Sequence, residues 1–170
     1  MNTTDLMQLA SLHDEALKSY REGERDPAGI VSPAGLEMLA GMGISPVFLY
    51  DCVDDLSRYG EPAADVFLEL GALRLLQFRS DPVTKLAVPE SELPRKTDQH
   101  RGVAWLPRII RKAQCFLEGS LSPDVMYGCA GDRAFLKEYG ATLPDFLIVV
   151  RDSGGDADKA LAFLKSRLGR

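Results

Sequence analysis

Histidine, tryptophan and cysteine are scarce in this chain of 170 residues, which contains two, one and three of them in that order. Two histidines are too few for a histidine-rich metal site. The cysteines, Cys52, Cys115 and Cys129, are widely spaced and form no Cys-x-x-Cys pair. This spacing argues against a zinc site and against a disulfide framework. We therefore expect reduced thiols in a reducing compartment, no metal and no cofactor.

Long apolar runs and an excess of positive charge are also missing. No stretch reaches the roughly 20 apolar residues that cross a bilayer, and the polar, acidic start MNTTDLMQLASLHDE does not resemble a signal peptide. The formal net charge is -5, whereas dedicated nucleic-acid binders are usually basic. These absences predict a soluble, cytoplasmic, bacterial-type protein without membrane contact, and they disfavour a nucleic-acid partner.

Apolar residues are nevertheless plentiful, at 45% of the chain, so the protein can bury a core. Prolines open five of the periodic apolar runs, at Pro33, Pro46, Pro62, Pro107 and Pro144. Proline is tolerated in the first helical turn because its missing N–H has no intrahelical partner there. The pattern predicts an all-α fold, a compact bundle of about seven to eight helices without a significant sheet.

Three parts are predicted along the chain: residues 1–80 as an N-terminal helical part, 81–102 as a proline-rich connecting loop, and 103–170 as a C-terminal helical part. Together they are expected to make one compact domain. The predicted helices are 4–23, 33–42, 46–59, 62–79, 106–119, 132–139, 144–151 and 156–168. The fourth is apolar nearly all round, which is typical of a central helix, and its Gly71 predicts a close helix crossing.

The segment WLPRIIRKAQCF, residues 105–116, predicts an amphipathic helix because its apolar residues recur every three or four positions. The opposite face then carries four polar side chains, Arg108, Arg111, Lys112 and Cys115. A solvated outer face is the favoured interpretation. The alternative is an anion site, because Arg108 lies in the first turn, where backbone N–H groups also point outward. Trp105 is expected to pack against the helix start.

Two other stretches have a functional alternative beside a structural interpretation. Asp51, Asp54 and Asp55 share one face of the third helix and are expected to be solvated, with metal binding as the alternative. Gly41 to Gly43 join two short helices in the manner of a helix-hairpin-helix turn, but the acidic segment that follows would repel phosphate. We interpret the glycines as a tight turn between core helices and keep DNA binding as a weak alternative.

Cys129 lies just before the sixth helix, which Asp132 is expected to cap. A thiol near a helix N-terminus can be activated, and His100 in the long loop is a conceivable base. A buried or inert cysteine is the favoured interpretation. The sequence contains no Gly-x-Ser-x-Gly, Walker or dinucleotide-binding motif.

A broader pattern runs through the C-terminal part: Gly102, Leu106-Pro107-Arg108, Lys112-Ala113, Gly119, Cys129-x-x-Asp132 and Phe135-Leu136. On these residues, the segment from Gly102 onward resembles an uncharacterised bacterial domain family of unknown function. It departs from the family where Ala130-Gly131 replaces Pro-Leu and where Arg111 replaces an acidic residue.

Because that family has no assigned activity, the resemblance implies a small soluble helical protein and marks four candidate ligand-binding residues, Arg108, Lys112, Cys129 and Asp132. An Arg108–Asp132 pair that holds the Cys129 loop is the structural alternative. The favoured functional hypothesis is a non-enzymatic binding or protein-interaction module, with a second copy or another protein as partner. The second hypothesis is small-anion binding or catalysis by the four candidates.

Overall fold

Helices make up most of the structure, a computed structural model that describes residues 3–82 and 85–168. Those residues form eight α-helices: α1 (Thr3–Arg21), α2 (Pro33–Gly41), α3 (Pro46–Tyr59), α4 (Ala64–Ser80), α5 (Leu106–Glu118), α6 (Ala130–Glu138), α7 (Leu143–Ser153) and α8 (Ala157–Arg167). They also form a 3₁₀ turn at Glu90–Glu92 and two short strands, β1 (Gln99–His100) and β2 (Val103–Ala104). The all-α prediction is confirmed.

The chain divides into two compact units, residues 1–83 and 84–170. The division falls inside the predicted connecting loop, whose positions 83 and 84 lie outside the described residues. Nearly all of that loop therefore belongs to the second unit. The expectation of one compact domain overall stays a prediction.

In the first unit, α1 packs against α3 and α4. Leu9 and Leu49 are fully buried in its core together with Phe67. Leu9 and Ile44 pack onto Gly71 of α4, 3.4 Å from where a Cβ atom would stand. This contact agrees with the predicted close helix crossing at Gly71.

Serine caps and prolines explain where several helices begin. Ser32 and Ser45 accept backbone N–H bonds through their side chains at the starts of α2 and α3, and a proline follows each of them. Two predicted starts are wrong. The sixth helix begins at Ala130 and not at Asp132. The fourth helix begins at Ala64 and not at Pro62, because Ala63 still has an extended backbone with φ -66° and ψ 160°.

In the second unit, α5 packs against α7 and α8, and β1 also contacts α5. β1 and β2 pair as an antiparallel hairpin, with His100 opposite Val103. Its turn residues, Arg101 and Gly102, both have positive φ, 48° and 82°, as a type I′ hairpin turn requires. Arg101 and His100 bond Asp158 in the first turn of α8, so the hairpin is anchored to that helix.

No single helix in the described parts of the chain is long and apolar enough to cross a membrane. By length and composition alone, α2 and α3 reach that limit as a pair, and they are bent by 110° where they meet.

Candidate functional site

The polar face predicted for α5 is buried, which corrects the favoured interpretation of that helix. Arg108, Lys112 and Cys115 are 6%, 2% and 0% exposed, and Arg111 is half-buried. The physical reason is that a second layer covers this side of the helix. Within this layer, Leu93 and other apolar side chains of the 85–125 region pack against Cys115.

The proline-rich segment before α5 supplies the partners of Arg108. Arg108 Nη1 donates to the carbonyl oxygen of Pro94 at 2.9 Å, and Nη2 donates to Glu90 Oε1 at 2.5 Å. The Glu90 side chain is 58% exposed, whereas that of Arg108 is 8% exposed. The guanidinium therefore lies inside the protein and its carboxylate partner lies at the surface.

One turn further along α5, Lys112 forms a buried ion pair with Asp132. Asp132 is fully buried and also accepts from Trp105 Nε1–H and from the Gly128 backbone N–H, each at 2.9 Å. Burial without such partners would be costly for a carboxylate. The structural alternative of an Arg108–Asp132 pair is thus wrong, because Lys112 is the cation that reaches Asp132.

The expected cap of the sixth helix is also wrong. Cys129 is the N-cap residue of α6, and Asp132 lies in the first turn. From there the Asp132 carboxylate reaches back to the N–H of Gly128, just outside the helix. An acidic side chain in the first turn is favourable because the helix N-terminus carries partial positive charge.

Trp105 is held in an unusual backbone conformation at the start of α5. Its φ is 69° and its ψ is -27°, a left-handed region in which a bulky residue is an outlier. The indole lies on Gly131 of α6, where an added Cβ would be 2.6 Å from the ring. Its N–H bond to Asp132 fixes the ring further. Trp105 therefore does more than the simple packing that we expected.

Cys129 completes the arrangement. Its side chain is half-buried, and its Sγ accepts from Lys112 Nζ at 3.3 Å. The same ammonium thus bridges the thiol and the Asp132 carboxylate. The four candidate residues are brought together by α5, α6 and the loop between them, although Arg108 bonds to other partners.

A cleft of about 340 Å³ lies over these groups, within the size range of small-ligand sites. Arg108, Lys112 and Cys129 line it, whereas the fully buried Asp132 does not. Apolar contact surface comes from Trp105, Val125 and Met126, and the first turn of α6 contributes Ala130 and Gly131. The backbone N–H groups of such a first turn have no acceptor within their own helix.

Charges of both signs line the rim of the cleft. Lys96, Glu90 and Asp124 are all exposed and all contribute to the lining, and Lys96 Nζ is 6.0 Å from the centre of the Trp105 ring. Water screens exposed charges strongly. The two ion pairs at the base, Arg108 with Glu90 and Lys112 with Asp132, each have a buried cation, which water screens less than it screens the exposed charges.

The acidic helix face is less solvated than predicted. Asp51, Asp54 and Asp55 are each partly buried, and Asp54 accepts a hydrogen bond from Tyr20 at 2.6 Å and pairs with Arg58. Burial, followed by repulsion from Asp55 and Asp54, raises the pKa of Asp51 to about 7. Within residues 3–82 and 85–168, no three histidine, cysteine or carboxylate side chains are grouped as a metal site would require.

The remaining candidates do not line the cleft. Phe78 packs directly on Gly43, so close that a Cβ there would be 2.4 Å from its ring, which supports the interpretation as a tight turn in the core. His100 bonds Asp158 at 2.7 Å, and neither residue lines the cleft. Glu90 and Pro94 are not predictable as part of the site, because their contacts with Arg108 leave no periodic signal in the sequence.

Comparison of the chain with protein-family models, with curated proteins and with solved structures finds no significant match. The resemblance of the C-terminal part to a family of unknown function therefore stays a prediction.

Proposed function

We propose that the second unit binds a small organic anion, specifically a carboxylate, in the cleft between α5 and the start of α6. The observation that carries the proposal is that two buried cations, Arg108 and Lys112, line this cleft. Each of them already pairs with a carboxylate, Glu90 and Asp132 respectively, and a bound anion would be a second acceptor for their remaining N–H groups through charge-assisted hydrogen bonds.

Lys112 and Arg108 have N–H groups that form no hydrogen bond with the described residues, and these groups support the proposal. An ammonium has three N–H bonds and a guanidinium has five. The hydrogen bonds formed among the described residues use two from Lys112 and two from Arg108. The first-turn N–H groups of Ala130 and Gly131 add further donors at a helix N-terminus, which favours negative charge.

The apolar lining favours an organic ligand over an inorganic ion. Trp105 presents an aromatic wall, and Val125 and Met126 add apolar contacts. Ligand sites typically combine such walls with a few polar groups that fix orientation. An interaction module would expose an apolar patch, which the apolar fourth helix and the last helix are best suited to supply. This hypothesis receives less support, because Leu76, 39% exposed, is the one large apolar side chain of α4 and α8 that is more than about a third exposed.

Titration of Trp105 fluorescence tests the proposal directly, because this residue is the sole tryptophan and lines the cleft. Benzoate is the probe, and benzamide is its neutral control with the same ring. We expect saturable binding of benzoate and at least about tenfold weaker binding of benzamide, because charge-assisted hydrogen bonds are the stronger ones. Titrations with acetate and inorganic phosphate, which lack the ring, show how much the benzene ring contributes to the affinity for benzoate.

Variants locate the site. Arg108→Gln is expected to weaken benzoate binding by about tenfold, whereas Lys137→Gln, which removes an exposed lysine at the far end of α6, should leave it unchanged. Equal binding of benzoate and benzamide, or no saturable fluorescence change with any of the anions, would contradict the proposal.

A further inference from the structure

We infer that Cys129 is a nucleophile that forms a covalent bond with a small carboxylate carrying an electrophilic carbon. This inference rests on the proposed anion cleft and deepens it, because it names the class of substrate. The cleft would hold the carboxylate group through its cationic base and present the adjacent carbon to the sulfur.

Two separate features place positive charge beside the Cys129 sulfur. Lys112 Nζ donates to Sγ at 3.3 Å, and the residue is the N-cap of α6, without a side-chain cap bond of its own. Thiols beside a cation or at a helix N-terminus are the ones that react as thiolates. Cys129 also lines the cleft, so a ligand held there meets the sulfur.

Asp132 acts in this scheme as a positioning residue. Its carboxylate fixes Lys112, Trp105 and the backbone of Gly128 at once. This holds the ammonium next to Sγ and the indole against the start of α6. The Cys129 thiol, the Lys112 ammonium and the Trp105 indole are therefore positioned by one hydrogen-bond network centred on Asp132. A reactive site needs its groups positioned in this way.

The chemical step is a simple displacement. Cys129 Sγ attacks the electrophilic carbon, a C–S bond forms, and the bond from that carbon to its leaving group breaks. The leaving group departs with the bonding electron pair, and the thiol proton passes to solvent. The step requires no oxidant, reductant or metal.

The other two cysteines provide internal controls. Cys52 and Cys115 are 1% and 0% exposed, and burial raises the pKa of the Cys115 thiol. Buried thiols in apolar surroundings are inert. All three sites can be followed separately in the unmodified full-length protein by mass spectrometry of their peptides.

The test compares alkylation of the native protein by iodoacetate, an electrophilic carboxylate, and by iodoacetamide, its neutral analogue. We expect Cys129 to react at least about tenfold faster than Cys52 and Cys115. We also expect the ratio of the iodoacetate rate to the iodoacetamide rate at Cys129 to be at least about threefold higher in the native protein than in the urea-unfolded chain, because the remaining N–H donors of Arg108 and Lys112 would bind the carboxylate of iodoacetate.

Benzoate should protect Cys129 from both reagents. If Cys129 reacts no faster than the buried thiols while benzoate still binds, the inference about the nucleophile is wrong and the anion site stands. If Cys129 reacts rapidly but without preference for iodoacetate, and benzoate does not bind, the proposal that the cleft binds anions is wrong. The inference that the substrate is a carboxylate is then wrong as well. Neither comparison needs a variant, so a poorly folded Lys112 substitution would not obscure the result.

Discussion

The buried Lys112–Asp132 pair allows a quantitative prediction for Lys112→Met. The substitution removes the ammonium but leaves a fully buried carboxylate that keeps its bonds from Trp105 and Gly128. Removing one partner of a buried ion pair typically costs about 3–5 kcal/mol. Because domains are stable by only about 5–15 kcal/mol, this is a large part of the stability of the second unit.

The double variant Lys112→Met/Asp132→Asn is the informative comparison. It removes both charges, so no uncompensated ion remains inside. We expect it to lose about 2 kcal/mol less stability than the sum of the two single substitutions, which is a coupling in the range found for contacting residues. Lys137→Met, which changes an exposed lysine on α6, should stay within about 0.5 kcal/mol of the unchanged protein.

Urea unfolding measures these differences. Trp105 fluorescence reports the second unit specifically, because the sole tryptophan lies there, and far-UV circular dichroism provides a signal that does not depend on the indole. A loss below about 1 kcal/mol for Lys112→Met, or strictly additive single substitutions, would refute the assignment of a buried coupled pair.

Three further predictions concern pH and packing. Burial raises the pKa of Asp51 from 3.8 to about 7 in the folded chain, so stability falls as pH rises between these two values and changes little above pH 7. Asp51→Asn should therefore stabilise the first unit at pH 8 by roughly 2 kcal/mol after allowance for partial hydration and should remove this pH dependence; a melting temperature as pH-dependent as before would contradict the prediction. Burial lowers the pKa of His13, so stability should fall as pH drops below 6.5, and His13→Leu should flatten thermal melts over that range. Gly131→Ala places a Cβ 2.6 Å from the indole of Trp105 and should cost about 1–3 kcal/mol and change the fluorescence spectrum, whereas Gly41→Ala, with open space around it, should not destabilise.

Local signals made the helices predictable. Ser32-Pro33 and Ser45-Pro46 mark the starts of α2 and α3 because the serine hydroxyl and the proline ring both suit a first turn. These are interactions between residues near in sequence, so periodicity and capping rules detect them. The start of α4 is predicted wrongly because Pro62 is not preceded by a capping serine or threonine. A proline alone does not show whether the next residue is already helical.

The burial of the cationic face was not predictable from the same signals. Periodicity correctly separated Arg108 and Lys112 from the apolar residues of α5, but it could not show that a second, polar layer covers them. That layer comes from Glu90, Pro94 and Asp132, which lie 14 to 20 residues away in sequence from their partners. Their contacts are set by the path of a loop, and a loop has no repeating pattern to read.

The way α5 is enclosed has a consequence for how the chain tolerates sequence change. Substitution surveys usually find that charged positions on an amphipathic helix accept almost any polar residue, whereas apolar positions accept few. On α5 the two sides should be equally restrictive, because Arg108 and Lys112 are as enclosed as Ile109 and Ile110. Charge reversal at the two basic positions would therefore be removed by selection for a folded protein before selection for any ligand could act on them.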